Sequence, residues 1–210
     1  MLDKVHYLKG AMPKEVVSFL LMQFTMMHDC METTQGVKGF VDPTVGDNNF
    51  SWYGSLPFET SLEYFRPLFE DTIGKDLYPT YSYGRIYGHG SYLNKHMDRR
   101  SSQWSASCCL SKDSDWPISF EHEGKIKTFE MEPGDMVLFP GSTIVHYRNR
   151  YKGQRHVQFF LQYVEQDGEY SYLKYDTRPC LASGFELVDQ SIKDELNSQV
   201  YTPPEEDYDI

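Results

Sequence analysis

Between Tyr78 and Val164 the chain breaks into short segments rich in aromatic and β-branched residues, each bounded by turn signals. That punctuation constrains the fold more than any other feature, because segments of four to ten residues between Gly, Pro, Asp and Asn read as strands. The expected strands are Tyr78–Tyr87, a short bridge over Tyr92–Asp98, Gln103–Leu110, Trp116–Glu121, Lys125–Glu130, Met136–Phe139, Ser142–Arg148 and Arg155–Val164. Turns are expected at Gly88-His89-Gly90, Glu132-Pro133-Gly134-Asp135 and Pro140-Gly141. The expectation is a mainly β protein with flanking helices.

Four side chains on these segments carry chemistry. His96 and Asp98 stand two apart. In an extended segment residues i and i+2 share a face, so both can reach one ion while Met97 points away. On a helix they would be about 200° apart around the axis. His146 arrives later on another strand-like segment and completes two imidazoles and one carboxylate, the donor set of a mononuclear non-haem iron site. Arg155 lies nine positions downstream of His146 and alternates in register with Val157, Phe159 and Leu161. That register points its guanidinium towards the interior, where it needs an anionic partner. A bound carboxylate would match the guanidinium fork.

The run from Tyr78 to Val164 resembles the core of the iron(II)- and 2-oxoglutarate-dependent dioxygenases, and within them the prolyl hydroxylase group. The resemblance rests on His96-Met97-Asp98, the Gly134-Asp135 turn, His146 and Arg155. It implies a double-stranded β-helix (a jelly-roll, cupin-like core) supported by N-terminal helices. It also implies that His96, Asp98 and His146 hold Fe(II), that Arg155 pairs with the far carboxylate of 2-oxoglutarate, and that Tyr87, or less well Tyr92, hydrogen-bonds that cosubstrate. The implied activity uses O2, releases succinate and CO2, and hydroxylates an unactivated C–H, with ascorbate as a possible reductant. A prolyl residue in a peptide or protein is the implied substrate. A free amino acid or other small molecule is the alternative within the family. A cupin-like metal-binding protein without catalysis is the alternative outside it. One departure is the strand after His-x-Asp, which reads Ser105-Ala106-Ser107-Cys108-Cys109-Leu110, without the Tyr some prolyl hydroxylases carry there.

The remaining residues read as support. Pro13–Met31 places Val16, Phe19, Leu20, Phe24 and Met27 at helical spacing, with Pro at a permitted first-turn position. Leu62–Ile73 is a second helix interrupted or kinked by Pro67, residues 36–54 read as a long loop, and Gln190–Leu196 as a short helix. The expected organisation is one domain over 1–200, with 1–77 as helical support and loop, 78–164 as the core and 165–200 as an extension. The tail 201–210 reads as acidic and disordered. His89 and His156 read as structural, Arg99 as solvated, and Cys108-Cys109 as buried small apolar residues. A formal net charge of −11 argues against nucleic acid or an anionic membrane as partner. No apolar run approaches the ~20 residues of a membrane span, and no signal peptide is visible. The expected compartment is cytoplasmic.

Overall fold

The computed structural model describes residues 1–35, 42, 44–46 and 48–198. Strand β1 (His6–Leu8) and helix α1 (Lys14–Gln35) come first. Strand β2 (Asn49–Tyr53) and helix α2 (Leu56–Ile73) follow. The core is β3 (Leu77–Tyr87), β4 (Leu93–His96), β5 (Trp104–Lys112), β6 (Ile118–His122), β7 (Lys125–Phe129), β8 (Met136–Phe139), β9 (Val145–Arg148) and β10 (His156–Glu165). Helix α3 (Gln190–Ser198) ends the described chain.

Among the described residues ten strands form two antiparallel sheets, in the orders β1-β8-β5-β10-β3-β2 and β4-β9-β6-β7. This is a double-stranded β-helix. The strands expected from the sequence are present to within a few residues at each end. Two other expectations change, one for a loop and one for a helix. The loop expected over 36–54 contains β2, which pairs with β3 from Asn49↔Tyr87 to Tyr53↔Tyr83; an edge strand of five residues beside Gly, Asp and Asn carries too weak an alternation to be legible. Helix α2 begins at Leu56, six residues before the expected start, and runs through Pro67. Pro57 occupies its first turn, where a missing N–H costs nothing. The tail 201–210 and most of 36–47 lie outside the described residues.

The larger sheet has two chemically distinct faces. Val157, Phe159 and Leu161 of β10 pack with Phe24 of α1 and Phe58, Leu62 and Phe69 of α2 in the main apolar core. Each such fully buried side chain contributes about 1.5–3 kcal/mol. Gly84 permits this contact, since a β-carbon there would overlap Phe58 and Phe24. The opposite face carries His156, Gln158, Phe160 and Gln162, and looks into the barrel. It is this inner face, closed by the smaller sheet, that bears the functional site.

Candidate metal centre and cavity

His96 and His146 are cross-strand partners, His96↔His146, on β4 and β9. Partners directly opposite in an antiparallel pair point to the same side, and the two rings stand 4.3 Å apart between centroids. Asp98 lies just past the end of β4, where its N–H donates to the Gly141 carbonyl at 2.9 Å. Its Oδ1 is 3.5 Å from His96 Nε2 and 3.6 Å from His146 Nε2. Donors on adjacent octahedral positions, with bonds near 2.1 Å, would be about 3 Å apart, so small side-chain rotations suffice to close the set on one ion.

The tautomers fit as well. His96 Nδ1 sits 2.7 Å from the Asn94 carbonyl and His146 Nδ1 sits 3.2 Å from the Ile144 carbonyl. A carbonyl only accepts, so each Nδ1 carries a proton, and each Nε2 is the nitrogen that would face a bound ion. Ser105 donates to Asp98 Oδ2 at 2.6 Å, leaving Oδ1 for the histidine side. Burial alone would raise the Asp98 pKa, but the His146 and His96 rings and the Ser105 hydroxyl hold it well below the usual carboxylate range. Burial, then the His96 charge, lowers His146 to about 4. Burial also opposes protonation of His96, yet its hydrogen bond to Asp98 and the Asp98 negative charge raise its pKa. Among the described residues, His96, Asp98 and His146 are the one such cluster of ligand atoms within 4.8 Å of one another.

Two supporting residues escaped the sequence reading. Gly141 must lack a β-carbon, because one built there would overlap the Asp98 carboxylate and the Ser105 hydroxyl. Ser105 was visible only as a small residue on an interior strand; its register opposite Gln162 and Phe139 turns it inward.

The triad opens into a cavity of about 910 Å³ that also receives Tyr87, Arg85, Arg99 and Arg148. Arg155 is not among its lining residues. It precedes the first residue of β10, is exposed, and donates to Thr25 Oγ1 at 2.9 Å. The alternation with Val157, Phe159 and Leu161 holds, but that face meets the helix layer rather than the barrel interior. Arg155, at the edge of this layer, reaches solvent. This corrects the interior position expected for it.

Arg148, two residues after His146, stands in the barrel instead. It is 2% exposed. Its Nη1 donates to the Trp116 carbonyl and its guanidinium lies 4.8 Å from the Trp116 ring centroid. Its Nη2 has no hydrogen-bond partner among the described residues. Burial lowers its pKa, which marks a cation lacking a compensating anion. His156 and Gln158 add further unpartnered polar atoms on this inner face, and burial, reinforced by Arg148 and Lys112, holds the His156 pKa well below its usual value. Tyr87 is buried, edge-on to Trp116 at 4.8 Å; Tyr92 is buried but outside the cavity. Arg99, expected to be solvated, is 7% exposed and grips Asp176 with two hydrogen bonds of 2.5 and 2.7 Å.

The fold is that of the 2-oxoglutarate–Fe(II) oxygenases. Among solved structures, a Pseudomonas putida prolyl-4-hydroxylase superposes with a TM-score of 0.55 at 12% identity, covering 77% of this chain and 92% of that one. HygX from Streptomyces hygroscopicus, with nickel, 2-oxoglutarate and hygromycin B bound, gives 0.61 at 12% identity over 78% and 84%. The viral collagen prolyl hydroxylase of Paramecium Bursaria Chlorella virus-1 gives 0.53 at 7% identity over 76% and 95%. At these identities the likeness is one of fold. No family model and no curated protein matches the sequence. Among the described residues, no helix is long and apolar enough to cross a membrane.

Proposed function

We propose that this chain is an Fe(II)- and 2-oxoglutarate-dependent dioxygenase that hydroxylates a C–H bond. The observation that carries the reading is the convergence of His96 Nε2, His146 Nε2 and Asp98 Oδ1 in a cavity that also holds a buried cation with an unpartnered arm, Arg148. His96, Asp98 and His146 would hold the ion as its protein ligands and would leave it room for a 2-oxo acid and O2. When bound, the ion and cosubstrate supply the oxidation: one oxygen atom enters the substrate C–H, the other leaves in succinate, and CO2 is released.

The protein's part is positional. Asn94 and Ile144 hold the imidazoles in the ligating tautomer, and Ser105 aims Asp98. Arg148 is the residue to receive the distal carboxylate of 2-oxoglutarate, through the arm that Trp116 does not use, and Tyr87 stands beside it in the cavity. Arg148 is buried among aromatic side chains, and a low local dielectric strengthens such a charge-assisted contact. The fold likeness to two prolyl hydroxylases supports a prolyl residue of a peptide as one substrate class, and the likeness to HygX supports a small molecule as the other. Ascorbate would serve as reductant. Four free cysteines suit a reducing, cytoplasmic compartment.

The test is an anaerobic titration with Fe(II) and 2-oxoglutarate, following the visible charge-transfer band of a chelated 2-oxo acid. The band is expected only with both components present and is expected to weaken sharply in Arg148→Met. Metal binding without a band would favour a non-catalytic, cupin-like metal protein.

A further inference from the structure

We propose that the outer face of the helix layer is a docking surface for a second copy of this chain, with α1 packed antiparallel on α1. The association needs neither metal nor cosubstrate. Spacing in α1 puts Phe19 among its apolar positions, yet Phe19 is 62% exposed, with Met22 at 64% and Met26 at 66%. These three lie on one stripe of the helix, about 160° around the axis from the buried Val17, Leu20 and Phe24. Helix α2 packs on the same core and touches α1. It leaves Leu56, Tyr64 and Leu68 exposed, away from its buried Phe58, Leu62 and Phe69. Half of the large apolar side chains exposed among the described residues therefore stand on these two helices. Such a grouping marks an interaction surface.

Charge and area select a second copy as the occupant. Val16 to Met27 carries no charged residue, in a chain of net charge −11. Two copies repel over most of their surfaces, so an uncharged apolar face is where they can meet. A basic protein would find no acidic group in the stripe to pair with. A lipid surface would call for Lys and Arg beside the apolar face, and α1 itself has Lys14 alone. Arg155, which reaches α1 at Thr25, stands about 90° around the axis from the stripe. Large side chains offer about 150–250 Å² each, so the six exposed ones present roughly 700 Å² per copy. That is close to the ~800 Å² each partner contributes to a stable interface.

The ends of α1 set its direction. Lys14 and Glu15 stand at one end, Asp29 and Glu32 at the other. Parallel pairing would set each of these charges against its own copy. Antiparallel pairing about a dyad at Met22 brings Phe19 against Met26 and Lys14 towards Glu32 of the second copy. Glu15 then meets like charge from Asp29, at an exposed rim where water and salt screen it. Unbranched Met side chains adapt well to such a self-contact. No residue of α1 or α2 lines the cavity, so the contact leaves both metal centres clear.

The test is sedimentation velocity of the full chain over the micromolar range. A dimer is expected to build up with concentration. Met22→Glu is expected to weaken it by about tenfold or more, since it sets like charges together in the contact. Met22 is exposed, so the variant leaves the core intact and its circular dichroism is expected to match the unaltered chain. Direction is read from disulfide formation in air. A Met22→Cys chain that also carries Cys30→Ser and Cys180→Ser is expected to cross-link, because its thiols meet at the dyad. Cys30 in a Cys180→Ser chain is expected to stay unlinked, since antiparallel order separates the two copies of it by more than about 20 Å along the helix axes. A monomer at every concentration, a dimer indifferent to Met22→Glu, cross-linking through Cys30, or co-sedimentation of the chain with phosphatidylcholine vesicles would each overturn the proposal.

Discussion

The Ser105 hydroxyl donates to Asp98 Oδ2 at 2.6 Å, leaving Oδ1 3.5 and 3.6 Å from the two histidine nitrogens. Ser105→Ala removes the group that fixes the rotation of this carboxylate. Losing such a support typically costs 10–100-fold in metal affinity, so a drop of about tenfold or more is expected in a Ni(II) or Fe(II) binding titration, with the unfolding midpoint little changed. Unaltered affinity would mean that backbone geometry alone holds Asp98.

Gly141 faces the same carboxylate from the other side. Its carbonyl accepts the Asp98 N–H at 2.9 Å, and a β-carbon at Gly141 would overlap Asp98 and Ser105. Gly141→Ala is expected to push Asp98 off the metal and abolish stoichiometric binding, at a cost of about 1–3 kcal/mol in stability. Metal titration and denaturant unfolding of the same sample check both halves.

Arg148 and Arg155 separate the two possible cosubstrate anchors. Arg148→Met is expected to raise the 2-oxoglutarate requirement by about a hundredfold or more, as breaking a buried ion pair costs about 3–5 kcal/mol, while leaving metal affinity nearly intact. Arg155 is exposed and bonded to Thr25. Arg155→Ala is expected to change that requirement little, in line with surface substitutions of about 0.5 kcal/mol or less. The opposite ranking in the charge-transfer titration would return the anchor to Arg155.

His156 should make the fold acid-sensitive. Burial, aided by Arg148 and Lys112, holds its folded pKa well below 6.5. The unfolded chain then takes up a proton that the folded one refuses, so stability is full above the unfolded pKa and falls as pH drops below about 6.5. The slope from one such group is at most about 1.4 kcal/mol per pH unit. His156→Phe is expected to flatten the stability profile of the metal-free protein by about one proton's worth, as read from denaturant midpoints at several pH values. An unchanged profile would assign the acid sensitivity elsewhere.

Much of this was legible in the residues themselves. Turn signals and short apolar runs located the strands of the core, and the spacing of His96, Asp98 and His146 singled out three side chains whose ligand atoms lie within 4.8 Å of one another. The Arg155 expectation shows where such reading stops. Alternation correctly put Arg155 on the face of Val157, Phe159 and Leu161, but a sheet packed on both sides has two interiors. Nothing local distinguishes the face under α1 and α2 from the face inside the barrel. Arg148 carried no signal of its own, because a lone Arg after a His-Tyr pair is indistinguishable from a solvated one. The partnership of Arg99 with Asp176, 77 positions apart, was equally invisible.

The sequence by itself determined the local quantities: strand content, the same-side placement of His96 and Asp98, and the donor types that suit ferrous iron. These follow from backbone periodicity and side-chain chemistry, which act over a few residues. Only the tertiary structure decided which arginine entered the barrel, which glycine had to yield space to the Asp98 carboxylate, and which distant segments line the cavity. Those outcomes depend on strand register and on contacts between residues far apart in the chain, where one step in register exchanges one buried face of a sheet for the other.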